Sequence, residues 1–312
     1  MPKETIVLGA GVIGLTTALT LQEKNISVKI VTAKLPAETT SAVAAAIWLP
    51  YEVKPFDKVK KWSSISYDIY KSLCSNSGAG VKMVDMTIII EKEEDAWWKD
   101  VLPTDSIREA APEELPGEHK IGYVLKVPMI ETHLHLQYLL DKFKSSGGKL
   151  EVRAVQRLAE FNEETTVVNC TGLAAKQLTG DDALYPIQGQ IVYLKPDSKL
   201  KCIVSEIAEG VNKDQLAYII PRSDHTVLGG TARVNKDNLE ATNEEAKAII
   251  ERCLKLDDKI DAGRFVSTQV GLRPGRSEIR LEREKNIIHN YGHGGGGYTV
   301  SWGCATSVLD LM

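Results

Sequence analysis

The chain has 312 residues, 43% of them hydrophobic, which exceeds the length at which a single core usually stops growing. A formal net charge of −4 gives no general attraction to nucleic acid or to an anionic membrane surface. We therefore expect two lobes and small-molecule chemistry.

The cysteines and histidines suggest neither a disulfide framework nor a metal site. Five cysteines are scattered without a C-x-x-C pair, which predicts reduced thiols. No signal-peptide pattern precedes the first apolar run and no segment has membrane-spanning length, so we expect a cytoplasmic protein without a membrane partner. His133 and His135 lie two apart in a helical pattern and have no third ligand in view, so no metal site is predicted.

A glycine fingerprint follows the first predicted strand, Thr5–Leu8, and opens a predicted helix from Ile13 to Lys24. In this context Gly9 permits a tight turn, Gly11 lets a phosphate approach the backbone, and Gly14 lets the helix pack on the strand. Backbone amides at the helix N-terminus then face a pyrophosphate. The motif consists of Gly9, Ala10, Gly11, Val12, Ile13 and Gly14.

The end of the second predicted strand leaves the identity of the dinucleotide open. Residues Ser27–Thr32 form that strand, and no acidic residue follows to hold a ribose. Lys34 lies there instead, and a lysine suits a 2′-phosphate. An NADP-dependent reductase is therefore one alternative.

The middle of the chain alternates between helical and extended patterns. Apolar spacing predicts helices over Trp62–Leu73 and Ile130–Phe143, and an extended segment over Val81–Ile90. The acidic, proline-containing stretch Glu91–Glu118 is predicted to be a surface excursion. The β-branched run Thr165–Gly172 then predicts a buried parallel strand that returns the chain to the first lobe.

The last third predicts strands, a capped helix and a second glycine turn. Strands are expected at Gln190–Lys195, Leu216–Pro221 and Thr226–Thr231, the last two joined as a hairpin. The sequence Thr-Asn-Glu-Glu from Thr242 fits a capping box. Gly292–Gly297 precedes a helix that runs to the end of the chain, so both termini are expected to build one cofactor site.

Seven segments, in this order, carry a resemblance to one family. They are residues 9–15, 39–51, 168–172, 218–222, 228–231, 271–276 and 289–295. With them the chain resembles the FAD-dependent D-amino-acid oxidases and D-aspartate oxidases, most closely the bacterial members. The resemblance runs from end to end.

The resemblance implies an α/β fold in which a Rossmann-type FAD-binding domain is interleaved with a second, mostly antiparallel β-sheet substrate domain. The FAD-binding domain would comprise residues 1–45, 145–180 and 270–312. The substrate-binding and interface domain would comprise residues 46–144 and 181–269. A homodimer is a further possibility that the sequence leaves open.

The resemblance also implies FAD as cofactor. Two departures leave the adenosine ribose contacts open: Ala42 replaces the usual aspartate, and Ala33-Lys34 replaces an acidic or arginine-containing turn. The implied FAD-binding residues are Gly9, Ala10, Gly11, Val12, Ile13, Gly14, Thr39, Thr40, Ser41, Ala45, Ala46, Ile47, Thr171, Gly172, Arg280, Gly294, Gly295, Gly296, Gly297, Tyr298 and Thr299.

Three residues are implied to hold the reacting amino acid. Arg273 matches the arginine that grips the α-carboxylate, and Tyr218 matches the tyrosine that donates to it. Gly295 would offer a backbone carbonyl to the amine. Orientation for hydride transfer then supplies most of the catalysis, with no protein general base, and a helix beginning near Gly297 stabilises the negative charge on the reduced flavin.

The pocket for the D-side chain has two readings. Apolar positions favour neutral or aliphatic substrates, whereas an inward Arg222, or Arg233, would bind the second carboxylate of D-aspartate or D-glutamate. We expect the neutral outcome. The implied pocket residues are Ile47, Leu49, Tyr51, Ile220 and Arg222.

The resemblance implies oxidation of a D-amino acid by dioxygen to an imino acid, then a 2-oxo acid and ammonia, with release of hydrogen peroxide. Two alternatives to this oxidase remain: the NADP-dependent reductase and a flavin-binding protein without turnover.

Overall fold

The computed structural model describes residues 4–50, 53–117, 121–209 and 213–312. The strands within these ranges are β1 (Thr5–Leu8), β2 (Val28–Thr32), β3 (Val81–Ile89), β4 (Ile107–Glu109), β5 (Gly122–Ile130), β6 (Lys149–Val152), β7 (Val167–Asn169), β8 (Tyr185–Leu194), β9 (Cys202–Glu209), β10 (Gln215–Pro221), β11 (Thr226–Thr231), β12 (Arg233–Val234), β13 (Phe265–Gly275), β14 (Arg280–Glu284) and β15 (Ile287–Tyr291). The helices are α1 (Val12–Gln22), α2 (Thr40–Val43), α3 (Phe56–Leu73), α4 (Thr132–Ser145), α5 (Ala175–Thr179), α6 (Asn243–Leu254) and α7 (Gly297–Asp310).

The first sheet has the order β14-β15-β7-β1-β2-β6. All neighbours are parallel except β14 and β15, which form an antiparallel pair. β1 and β7 are buried along their whole length, as parallel strands covered on both faces require. The predicted Rossmann-type fold is confirmed, and its strands come from the beginning, middle and end of the chain.

The second sheet has the order β12-β8-β11-β10-β9-β3-β5-β4, with β13 paired to β8. Its pairs are antiparallel except β3 with β9. Strand alternation divides its side chains between two cores. Ile219 and Leu228 pack on the side of α6, whereas Tyr218 and Ile220 share the other core with Trp48.

The two sheets draw on alternating stretches of the chain. Strands of the first sheet lie within residues 5–32, 149–169 and 280–291, and those of the second within 81–130 and 185–275. β13 crosses the boundary predicted after residue 269, because its backbone continues to pair with β8 as far as Gly275. We propose a domain division that follows the two sheets.

Several local predictions differ in detail from the structure. The helix predicted from Trp62 begins six residues earlier, at Phe56. The predicted surface excursion is anchored by Trp98, which is fully buried against Tyr123.

The capping box predicted at α6 is half formed. Thr242 Oγ1 accepts a hydrogen bond from the Glu245 amide. The Glu245 carboxylate does not return to Thr242 but binds Arg233 and Arg252. The Thr242 amide donates to Gln190 Oε1 instead.

Candidate active site

The glycine turn between β1 and α1 is closely packed. Gly9 has a φ of 100°, a conformation that favours glycine. A Cβ on Gly14 would lie closer than 3.0 Å to the Gly9 carbonyl oxygen, so the helix approaches the turn only without a side chain there. Gly11 precedes the first residue of α1, and no acidic residue occupies the first helical turn. This N-terminus therefore suits a phosphate.

Residues 39–46, which we call the bridging segment, connect this turn to the rest of the site. Ser41 Oγ accepts a hydrogen bond from the Val12 amide at 3.0 Å. The Tyr298 hydroxyl of α7 donates to the Ser41 carbonyl at 2.9 Å. The segment is thus joined to the first turns of both α1 and α7.

The bridging segment is also joined to the second sheet, near both of its ends. Thr40 Oγ1 donates to the Leu272 carbonyl of β13 at 3.2 Å, and the Ala46 carbonyl accepts from the Ile130 amide of β5 at 2.9 Å. Ala44 and Ala45 between these anchors are only half-buried. Because their side chains are small, a planar ring can approach this part of the segment closely.

The terminal glycine turn lies next to β13. Gly292 and Gly294 have φ values of 86° and 51°, and the Gly294 amide donates to the Pro274 carbonyl at 2.9 Å. Gly295 is exposed. α7 follows from Gly297 without an acidic residue in its first turn, so a second helix N-terminus is available at the same site.

Arg273 lies half-buried on the face of the second sheet that meets the bridging segment. Its guanidinium lies over Gly189, where an added Cβ would be 2.6 Å from Nη1, and Nη1 donates to the Thr231 carbonyl at 2.9 Å. Within the described ranges no carboxylate lies within ion-pair distance of Arg273. The remaining N–H groups are therefore available to an anion.

Tyr218 lies beside this arginine. Its ring lies over Gly229, and its hydroxyl has no hydrogen-bond partner among the residues described. Burial raises the pKa of Tyr218, although the charge of Arg273 opposes this. The phenol thus remains protonated at neutral pH and is able to donate to a bound anion.

Arg222 is only 4% exposed, and its guanidinium contacts backbone rather than open space. Nη1 donates to Thr132 Oγ1 at 3.2 Å, and Nη2 donates to the carbonyls of Ala44 and Ala45. Arg222 is therefore not a solvent-exposed hairpin charge, because the hairpin packs against the start of α4. Arg233 is also engaged, by Asp214 and Glu245.

The apolar pocket residues differ in burial. Ile220 and Leu49 are 1% and 5% exposed, whereas Ile47 is half-buried and pairs with Met129. Tyr51 lies outside the residues that the structure describes.

The sequence profile described as "FAD dependent oxidoreductase" matches residues 4–311. The chain belongs to this family. A D-amino-acid oxidase from Rubrobacter xylanophilus is 37% identical over 98% of this chain and 94% of its own length. One from Dictyostelium discoideum is 38% identical over 98% and 90%. The human D-aspartate oxidase is 31% identical over 98% and 93%.

Solved structures agree at the level of fold. The glycine oxidase from Geobacillus kaustophilus has a TM-score of 0.81 and 15% identity, over 99% of this chain and 94% of its own. The glycine oxidase from Bacillus cereus has a TM-score of 0.78 and 20% identity, over 99% and 94%.

The residues present fit the FAD of this family. α1 and α7 pack against each other, and Thr16 of α1 donates to the Ser301 carbonyl of α7 at 3.4 Å. A glycine precedes each helix, Gly11 or Gly296, and neither helix has an acidic residue in its first turn. This suits phosphate at one N-terminus and a reduced, negatively charged ring at the other. The bridging segment is bonded to the first turns of both helices through Ser41.

Several predicted FAD-binding side chains have partners within the protein. Arg280 donates to Glu282 and to the Tyr291 hydroxyl on the edge of the first sheet. Thr299 Oγ1 donates to the Leu49 carbonyl at 2.8 Å. Thr171 Oγ1 donates to Asn169 Oδ1 at 2.7 Å.

Two residues of the site were missed from the sequence. Gly189 admits the guanidinium of Arg273, and the only signal was a glycine directly before the strand predicted at Gln190–Lys195. Thr132 binds both Arg222 and the Ala42 carbonyl, and no local pattern indicated this. In the described part of the chain, no cluster of three or more His, Cys, Asp or Glu is placed to hold a metal ion. No described helix is long and apolar enough to cross a membrane.

The burial of two histidines predicts that the folded state becomes less stable in acid. Burial lowers the pKa of His135 to about 4 and that of His293 to about 3, from an ordinary 6.5. Below pH 6.5 the unfolded chain gains protons on these histidines that the folded chain does not. The stabilisation that the two neutral histidines give is therefore complete above pH 6.5 and is lost as pH falls. At pH 5 we expect a loss of about 2 kcal/mol for each histidine relative to pH 7.

Urea unfolding of the FAD-free protein at pH 7 and pH 5 measures this loss. In His135→Gln the decrease in the free energy of unfolding from pH 7 to pH 5 should be smaller by about 2 kcal/mol, because the variant has no proton to gain at this position. An identical pH dependence in the variant and the wild type would contradict the prediction.

Proposed function

We propose that the protein is an FAD-dependent D-amino-acid oxidase that acts on neutral D-amino acids. Substrate and dioxygen would give an imino acid and hydrogen peroxide. The imino acid then hydrolyses to a 2-oxo acid and ammonia. The observation that carries the proposal is Arg273, a half-buried guanidinium without a carboxylate partner in the described ranges, beside the protonated hydroxyl of Tyr218. The full-length relatives named D-amino-acid oxidase support it.

Arg273 and Tyr218 hold the substrate by its α-carboxylate in this mechanism. The free N–H groups of Arg273 donate to the carboxylate oxygens, and the bond to Thr231 keeps the guanidinium in place. Tyr218 adds a third hydrogen bond from its neutral phenol. Because three donors orient one group, the Cα–H bond has a fixed direction in the site.

The terminal glycine turn completes the chemistry. The exposed Gly295 offers its carbonyl to the substrate amine, which reacts in its neutral form and needs no protein base. When bound, FAD accepts hydride from Cα and transfers the electrons to dioxygen. The N-terminus of α7 at Gly297 stabilises the negative charge that accumulates.

The side chain of the substrate meets apolar residues. Ile220, Leu49 and Ile47 supply this surface, and burying an aliphatic side chain contributes about 1.5 to 3 kcal/mol. The Nη groups of Arg222 bind Thr132 and backbone carbonyls, and Arg233 binds Asp214 and Glu245. A second substrate carboxylate would therefore lose its water without gaining a free cation. Neutral D-amino acids are therefore preferred over D-aspartate and D-glutamate.

A cytoplasmic location and a homodimeric state belong to this proposal as well. All five cysteines are free thiols, four of them buried, as is usual in a reducing compartment. Light scattering of the purified protein tests the dimer.

A flavin spectrum and a substrate screen test the function. We expect yellow protein that releases FAD on denaturation and is bleached by D-methionine without oxygen. Peroxide-coupled kcat/KM values should be higher for D-methionine and D-valine than for D-aspartate and D-glutamate, and the L-enantiomers should be inactive. Release of NADP would favour the reductase, FAD without bleaching by any D-amino acid would favour a non-catalytic protein, and higher values for acidic substrates would overturn the specificity.

A further inference from the structure

Arg222 is a buried cation without a charged partner. It is 4% exposed, its Nε has no hydrogen-bond partner among the described residues, and no carboxylate there lies within ion-pair distance. Asp224, two residues further on, binds His225 instead, with 2.8 Å between Oδ2 and Nδ1. Burying a guanidinium costs several kcal/mol unless its hydrogen bonds are replaced. In this protein the replacements come from backbone carbonyls.

The contacts of Arg222 converge on the bridging segment. Its Nη2 donates to the Ala44 and Ala45 carbonyls, and its Nη1 donates to Thr132 Oγ1. Thr132 in turn donates to the Ala42 carbonyl at 2.8 Å. Two side chains from different elements thus hold three carbonyls of one short segment.

A second set of bonds keeps Arg222 in position. Ser223 donates through its amide, at 3.1 Å, and through its hydroxyl to the carboxylate of Glu131. Glu131 is 5% exposed and immediately precedes Thr132 at the start of α4. The hairpin that carries Arg222 is therefore attached to the helix that carries its partner.

We infer that Arg222 is a positioning residue for FAD, which acts through the bridging segment and does not contact the substrate. This inference rests on the proposed function. The segment is bound at Ser41 to the first turn of α1, where phosphate is expected, and at Ala44 and Ala45 to Arg222. Arg222 thereby fixes the position of Ala44 and Ala45, beside which the cofactor ring would lie, relative to the sheet face that carries Tyr218 and Arg273.

Titration of FAD into the FAD-free protein tests the inference directly. In Arg222→Leu we expect FAD to bind at least about tenfold more weakly, because two hydrogen bonds to the segment and one to Thr132 are lost. Hydrogen exchange in peptides covering residues 40–47 should become faster. At saturating FAD, kcat/KM for D-methionine and D-aspartate should fall by similar factors.

Three further variants serve as matched comparisons. Arg222→Lys retains the charge but not the planar fork, so FAD affinity should be intermediate. Thr132→Val, which removes the bond to Ala42, should weaken FAD binding in the same direction. Arg252 is also buried and also holds carbonyls, those of Leu216 and Gly230, on the α6 side of the sheet. Arg252→Leu should lower Tm without changing FAD affinity.

Two results would overturn the inference. One is wild-type FAD affinity in Arg222→Leu, and the other is a selective loss of D-aspartate activity, which would place Arg222 against the substrate side chain. If Arg222→Leu does not fold, the FAD affinities of Arg222→Lys and Thr132→Val test the inference instead. Wild-type affinity in both variants would refute it. Wild-type protein that binds no FAD at all would instead refute the proposed function.

Discussion

Arg273→Ala is expected to lower kcat/KM for D-methionine by roughly two to four powers of ten while FAD remains bound. The substrate carboxylate enters a partly buried site where Arg273 has no competing carboxylate in the described ranges. Without the guanidinium the carboxylate loses water and gains no charged partner, which costs about 3 to 5 kcal/mol. Steady-state kinetics and the flavin spectrum of the variant measure the two effects separately.

Conservative variants separate charge from geometry. Arg273→Lys retains the charge but not the two-pronged donor, and should recover only part of the activity. Tyr218→Phe removes one hydrogen bond to the carboxylate and should cost about 1 to 3 kcal/mol. Activity of Arg273→Ala within a few fold of wild type would show that another group binds the carboxylate.

Gly14→Ala is expected to yield colourless protein. The added methyl group would lie closer than 3.0 Å to the backbone oxygen of Gly9, which cannot turn away as a side chain can. α1 must then move off the turn, and its first amides no longer face the phosphates. We expect FAD binding to be lost and the free energy of unfolding to fall by about 1 to 3 kcal/mol. The flavin absorbance and urea unfolding of the purified protein measure these changes.

Two other glycines provide the comparison. A Cβ on Gly11 would lie 3.0 Å from Ser41 Oγ, a side chain that is able to rotate, so Gly11→Ala should weaken FAD binding with little change in stability. At Gly78 the nearest contact of an added Cβ, Asn76 Oδ1, is at an ordinary 3.4 Å, and Gly78→Ala should change neither. Normal FAD affinity in Gly14→Ala would contradict the placement of the phosphates.

The dinucleotide turn and the alternation of side chains along β10 were predictable from local patterns. Gly9 follows an apolar strand and Gly14 lies in the first turn of the helix that comes next, and this close approach requires the absence of a Cβ at both positions. Period-two alternation likewise placed Tyr218 and Ile220 on one face of β10, and both lie in one core. Such features depend on residues that are neighbours in the chain.

The boundary of β13 and the partner of Glu245 were not predictable in this way. β13 extends to Gly275 because β8, some eighty residues earlier, offers it a continuous edge. Glu245 has the spacing of a capping residue, but two arginines of the folded protein bind it more strongly than the Thr242 amide does.

Arg222 marks the limit of what the sequence determines about this protein. The amino-acid sequence by itself predicted the glycine turns and the hairpin, and the resemblance that it carries assigned residues to the substrate. It left the direction of Arg222 open, because a long flexible side chain reaches water, substrate or backbone equally well. Only the tertiary structure brought the Ala44 and Ala45 carbonyls, more than 170 residues away in the chain, within reach of its guanidinium. A buried cation takes whichever acceptors replace its lost water, and packing alone decides which acceptors those are.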